Sequence, residues 1–134
     1  MPEFQKRGAG SIINIGSVEG KQANPLHTAY AETKAGVHGM TRAMAIDLGR
    51  YGVRCNAIAP GWIETDLSAK YLASRANSAA TREALIALHP AGRLGTPEDI
   101  GNLAVFLASD NAAFLTGEVI TLDGGRTVRL PTPD

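Results

Sequence analysis

The feature that most limits how this chain can fold is one long helical stretch, Thr28 to Arg50 (TAYAETKAGVHGMTRAMAIDLGR), set between two short β-branched runs. Val37, Met40, Thr41, Met44, Ala45 and Leu48 recur along it at helical spacing, which predicts an apolar stripe facing a packed neighbour. Ala35, Gly36, Gly39 and Ala43 lie on other faces. That is more apolar and small-residue surface than one sheet contact needs, so a partner on the far side is expected. Before the helix, Ser11 to Ile15 (SIINI) closes at Gly16-Ser17 and reads as a strand patterned for burial on both faces. After it, Val53 to Ala59 (VRCNAIA) reads as a second strand, stopped by Pro60-Gly61. Thr96 is a good N-cap with Pro97 at the first helical position, and that helix runs to about Ser109. Glu118 to Leu122 (EVITL) gives a third strand, closed by Asp123-Gly124-Gly125. Strand, helix, strand, excursion plus helix, strand is the order of an α/β parallel sheet with right-handed crossovers.

The remaining segments are less regular. Met1 to Arg7 reads as the last turns of a helix, with Gly8 as its stop. Residues 18–27 are punctuated by Gly20, Asn24 and Pro25 and read as a loop. Residues 62–90 form an Ala-rich excursion with helical patches at Asp66 to Ser74 and Ala79 to Leu88, and residues 126–134 read as an irregular polar tail.

At 134 residues the chain is a single domain or part of one. Basic and acidic residues are equal in number, so no overall field favours nucleic acid or an anionic membrane. The single Cys55 excludes an internal disulfide and suits a reducing compartment. His27, His38 and His89 are scattered without metal-ligand spacing, and no apolar run reaches membrane-spanning length. A soluble, cytoplasmic protein without a metal site is the expectation.

Chemistry gathers at one edge. In open parallel sheets ligands sit outside the carboxyl ends of the strands. Gly16-Ser17, Pro60-Gly61 and Asp123-Gly124 each follow a strand, and the long helix starts on that side too. Its first turns carry Tyr30 and Lys34, four residues apart and therefore on one helix face. A tyrosine in water is too weak an acid to exchange protons readily near neutrality. A cation within about 4–6 Å favours the phenolate, so the pair is a candidate proton-transfer device. For several neighbours a structural role competes with a functional one. Ser17 also suits a strand-end turn, Pro60-Gly61 a strand stop and Thr65 a helix cap. Asn14 and Asn56 read as hydrogen-bonded structural residues, and Trp62 and Tyr71 as packing residues of the excursion, with lining of a substrate pocket as the alternative. The histidines read as structural or exposed, with His27 placed near the site.

These residues together resemble the short-chain dehydrogenase/reductase family. The resemblance is carried by Ser17, Tyr30 and Lys34, by NAIAPG from Asn56 to Gly61 with Thr65 beyond, by GRLGTPEDI from Gly92 to Ile100, and by TGEVITLDGG from Thr116 to Gly125. It covers residues 10–125 or so. It implies the C-terminal part of a Rossmann-like doubly wound sheet, about three strands with flanking helices. It also implies hydride transfer between an alcohol or ketone carbon and NAD or NADP. By that resemblance Tyr30 is the general acid/base, Lys34 favours its phenolate and holds the nicotinamide ribose, and Ser17 hydrogen-bonds the substrate oxygen. Pro60, Gly61, Ile63 and Thr65 would meet the nicotinamide carboxamide, and residues 64–90 would form the substrate lid.

The family's Gly-rich phosphate-binding turn has no counterpart, since Gly8-Ala9-Gly10 precedes a strand and lacks a third glycine. The expectation is therefore the C-terminal half of such an enzyme, arising by truncation, an internal start or a misassigned first codon. Such a chain would bind the cofactor weakly and turn over little or not at all. Its first strand would become an open sheet edge, which favours a homo-oligomer. The alternative is a non-catalytic oligomerisation or interaction module that keeps the motif as a relic.

Overall fold

The β-branched and small residues of three short runs pair as one parallel sheet in the order β1-β2-β3, with β1 at Gly10–Ile15, β2 at Val53–Pro60 and β3 at Val119–Leu122. The computed structural model describes residues 2–128 and 130. The expected first helix is α1, Pro2–Arg7, closed by Gly8 at φ 64° with its N–H on the Phe4 carbonyl at 3.0 Å. Met1, and within the tail Arg129 and residues 131–134, lie outside the described residues. Helix α2 spans Thr28–Gly49, α3 Asp66–Ala73, α4 Ser78–Ala87 and α5 Pro97–Ala108. Two short 3₁₀ turns, Val18–Gly20 and Asp110–Ala112, complete the set.

Helices cover both faces of the sheet, as a doubly wound arrangement requires. On one face α2 buries Thr41, Ala45 and Leu48 against the small residues of β2, where Cys55, Ala57 and Ala59 are completely buried. On the other face α5 packs Leu107, also completely buried, against Ile58, Ile13, Ile120 and Leu122. Buried polar groups are paired across these layers. Asn14 Nδ2 donates to Thr41 Oγ1 at 2.9 Å, and Asn56 Nδ2 donates to the Leu115 carbonyl at 2.7 Å while its Oδ1 accepts from Glu118 N–H at 3.1 Å. Both asparagines are thus structural, as expected.

Two expectations are corrected. Met40, read into the apolar stripe of α2, is 48% exposed. β1 is not buried on both faces: most of it is half-buried, and Ile15 is 49% exposed. The strand order explains this. Among the described residues β2 has a strand on each side, whereas β1 has one neighbour and lies at the sheet edge.

Candidate active site

Parallel pairing brings the three strand ends to one rim. Gly16 N–H extends the ladder by donating to the Ile58 carbonyl at 2.8 Å, and Gly61 N–H does the same with the Leu122 carbonyl at 3.0 Å. The second turn of α2 is pinned to this rim by Lys34, whose Nζ donates to the Ile15 carbonyl at 3.2 Å. The same ammonium lies 5.6 Å from the centroid of the Tyr30 ring, within reach of a cation–π attraction. Tyr30 is 46% exposed. The predicted i, i+4 adjacency is therefore present, beside the residue that ends β1.

Ser17 follows two residues after β1 and is buried. Its extended backbone and side chain cap the 3₁₀ turn Val18–Gly20, with Oγ accepting from Glu19 N–H at 3.1 Å. The turn-forming role is thus real. It occupies a lone pair and not the hydroxyl hydrogen, which remains a donor.

The loop from Ser17 to α2 is tied together by Glu19. Its carboxylate accepts from Asn24 Nδ2 at 2.8 Å and pairs with His27 Nδ1 at 2.9 Å. Burial acts to raise the Glu19 pKa, but the bonds from Asn24 and His27 outweigh it and hold the carboxyl below its usual range. The His27 ring meets Tyr30 edge to face, with centroids 6.2 Å apart. Immediately before His27, Leu26 has φ 66° and is fully exposed, a conformation that costs a non-glycine residue energy.

At the exits of β2 and β3, Pro60 ends its strand and Gly61 packs so closely on Asp123 that an added methyl would stand 2.7 Å from its Cβ. Ile63 forms an isolated parallel bridge with Gly95. Both bridge bonds belong to Gly95, which donates to the Trp62 carbonyl at 3.0 Å and accepts from Glu64 N–H at 2.8 Å. The Ile63 N–H and carbonyl point away from that bridge. Thr65 caps α3 in a reciprocal box, with Oγ1 accepting from Ser68 N–H at 3.3 Å and Ser68 Oγ accepting from Thr65 N–H at 2.7 Å. Its cap role is seen, and the bond to Ser68 N–H takes one lone pair of its hydroxyl oxygen. Trp62 and Tyr71 pack edge to face at 5.2 Å, as expected. A cavity of about 120 Å³ opens among Trp62, Ile63, Arg93, Leu122 and Asp123. Ser17, Tyr30 and Lys34 lie outside its lining, on the open rim.

Two features escaped the sequence reading. The Glu19–His27 pair joins residues with no regular spacing between them. His38 reads from the sequence only as a structural or exposed histidine, yet it continues the Tyr30 and Lys34 stripe at i+8 and is 3% exposed. That periodicity was available as a signal. Among the described residues no cluster of metal-ligating side chains occurs, and no helix is long and apolar enough to cross a membrane.

The chain is similar to proteins of known family. The family model described as enoyl-(acyl carrier protein) reductase matches residues 1–127. The 3-oxoacyl-(acyl-carrier-protein) reductase FabG of Thermotoga maritima is 43% identical over 128 residues, covering 96% of this chain and 50% of the relative. The (3R)-3-hydroxyacyl-CoA dehydrogenase of Rattus norvegicus is 41% identical over 118 residues, covering 88% of this chain and 43% of the relative. Among solved structures, a gluconate 5-dehydrogenase from Burkholderia cenocepacia in complex with NADP and tartrate superposes with a TM-score of 0.87 at 38% identity, over 96% of this chain and 49% of that one. The chain thus spans about half the length of the curated relatives it matches. Half-length coverage is what the match establishes, not the C-terminal placement that the motifs imply. With its parallel sheet, its Tyr30–Lys34 pair at the strand exits and these relatives, the chain belongs to the short-chain dehydrogenase/reductase family.

Proposed function

We propose that this chain carries the reaction-side portion of an NAD(P)-dependent oxidoreductase that interconverts an alcohol and a carbonyl. The observation that carries the proposal is the Lys34 ammonium, held by the Ile15 carbonyl at the rim and lying 5.6 Å from the Tyr30 ring centroid. The donor set suits a nicotinamide nucleoside. Lys34 can donate to ribose hydroxyls, and the outward N–H and carbonyl of Ile63 match the acceptor and donor of a carboxamide, beside the Pro60-Gly61 turn. The cofactor, when bound, supplies or accepts the hydride. Tyr30 passes its phenolic proton to the substrate oxygen in reduction and recovers it in oxidation. Ser17 donates its hydroxyl hydrogen to the same oxygen, where negative charge builds. Thr65 serves this site through the α3 cap, which fixes where the excursion leaves the rim. Residues 64–90 are read as the substrate lid.

The relatives named above act on acyl and sugar substrates, so the substrate class is left at alcohol or carbonyl compound. Binding of NADPH by this chain alone is expected to be weak, at best near millimolar, equivalent to about −4 kcal/mol. Turnover is expected to be slight. A homo-oligomer is part of the same reading. Met40 and Ile46 on the outer side of α2 are 48% and 81% exposed, and β1 leaves an unpaired edge.

Calorimetric titration of NADPH into the purified chain tests the proposal. Heat that saturates in the wild type and is lost in Lys34→Ala supports it. Silence in both would instead favour the interaction-module alternative, to which the exposed apolar surface also points.

A further inference from the structure

Tyr30, Lys34 and His38 form one stripe along α2, and the first two reach the rim. His38 goes under it. Its ring lies against two glycines that bracket Ser17. A methyl group on Gly16 would stand 2.8 Å from Cδ2, and one on Gly20 would stand 2.6 Å from Nδ1. No side chain larger than hydrogen fits at either position while the ring is there. Nε2 of the imidazole is buried without a partner among the described residues. The turn closes over the ring through Gly16 N–H to the Ile58 carbonyl at 2.8 Å and Gly20 N–H to the Ser17 carbonyl at 3.0 Å.

We propose that His38 is the positioning residue for Ser17: its imidazole is the post around which residues 16–20 are wound, and it sets where the Ser17 hydroxyl stands at the rim. The placement is a matter of sterics. Its consequence for catalysis rests on the role given to Ser17 above.

The post works only when uncharged. Burial comes first in disfavouring the imidazolium, and the cationic Lys21 from the turn and Arg42 and Lys34 from α2 add to it; together they outweigh the Gly20 backbone, which favours the charged ring. The ring therefore ionises below the usual histidine range. On acidification a charge enters a slot that offers Nε2 no acceptor, and the turn must open to hydrate it. Ser17 would then shift while Tyr30 and Lys34 stay on their helix.

The test is a pH titration of the full chain followed by ¹H–¹⁵N and imidazole NMR, in the wild type, His38→Asn and His38→Ala. In the wild type the amides of Gly16, Ser17, Glu19 and Gly20 should move together, with the midpoint of the His38 ring, below pH 6.5. In His38→Asn, which keeps a polar side chain but does not titrate, that shared transition should vanish while the neutral-pH shifts of the turn persist. Glu19 is retained there, so its own acid transition stays visible and separable. In His38→Ala the turn amides should exchange with solvent at least about tenfold faster, as for a locally opened segment. Ser17 and Gly20 amides that ignore the His38 midpoint, or a shared transition that survives in His38→Asn, would overturn the inference. These readouts need no cofactor, so a failed NADPH titration would sink the proposed function and leave this result standing.

Discussion

Asp123 is a residue whose role is local but whose effect reaches the rim. Its buried carboxylate accepts from Gly125 N–H at 2.9 Å, Thr127 N–H at 2.8 Å and Thr127 Oγ1 at 2.7 Å, and so closes the turn after β3. Burial acts to raise its pKa, but the bonds from Thr127 and Gly125, with His89 nearby, outweigh it and leave the value lowered. A carboxyl with a lowered folded-state pKa adds stability above its unfolded pKa of about 4, and that contribution is lost as pH falls through the folded value. Asp123→Asn keeps the shape but turns an amide toward backbone donors, and should cost about 1–3 kcal/mol at pH 7. Urea unfolding at pH 7 and pH 3 checks this, with the gap between wild type and variant expected to narrow in acid. The Tyr30–Lys34 adjacency was legible at this scale, because four residues of helix fix two side chains on one face whatever surrounds them. The cap formed by Thr65 was legible only as one of two roles, since a threonine before a helix suits a cap and a ligand contact equally.

At the scale of elements, helix ends were the most readable features. Thr96 and Asp99 form a reciprocal capping box, and Asp99 is further held by Arg93 through two bonds, at 2.6 and 2.8 Å. This cap starts the helix that delivers Leu107 to the core. Thr96→Ala should therefore cost the whole fold about 1 kcal/mol. Thr65→Ala removes an equivalent cap from α3, an eight-residue helix with no buried residue, and should change global stability by less than about 0.5 kcal/mol. Paired urea midpoints separate the two. Equal losses would mean that α3 is tied to the core more firmly than its exposure indicates. The SIINI run shows the opposite case: its apolar pattern implied burial on two faces, but a pattern records what a strand can bury and not how many strands flank it.

Across the whole molecule, apolar surface is left open on several elements. Ile15, Met40, Ile46, Val105, Phe106 and Phe114 are large apolar residues left between 44% and 105% exposed, and β1 offers an unpaired edge. Surface of this kind recruits partners. Sedimentation velocity at micromolar concentration should therefore show a dimer or larger species. A monodisperse monomer would remove the oligomer from the proposal. Substituting Ile46→Glu on the outer side of α2 should weaken association if that helix forms the contact, and leave it unchanged if the β1 edge does.

Order of elements, helix caps, the Tyr30–Lys34 adjacency and the exit of the three strands on one rim were determined by the sequence alone. Each depends on short-range periodicity, punctuation by glycine and proline, or the rule that parallel strands exit on one side. The wedge of His38 between Gly16 and Gly20, the Glu19–His27 pair and the half-buried state of β1 were decided by the tertiary structure. They depend on how far apart elements come to rest when their side chains interlock, and that distance has no fixed spacing along the chain.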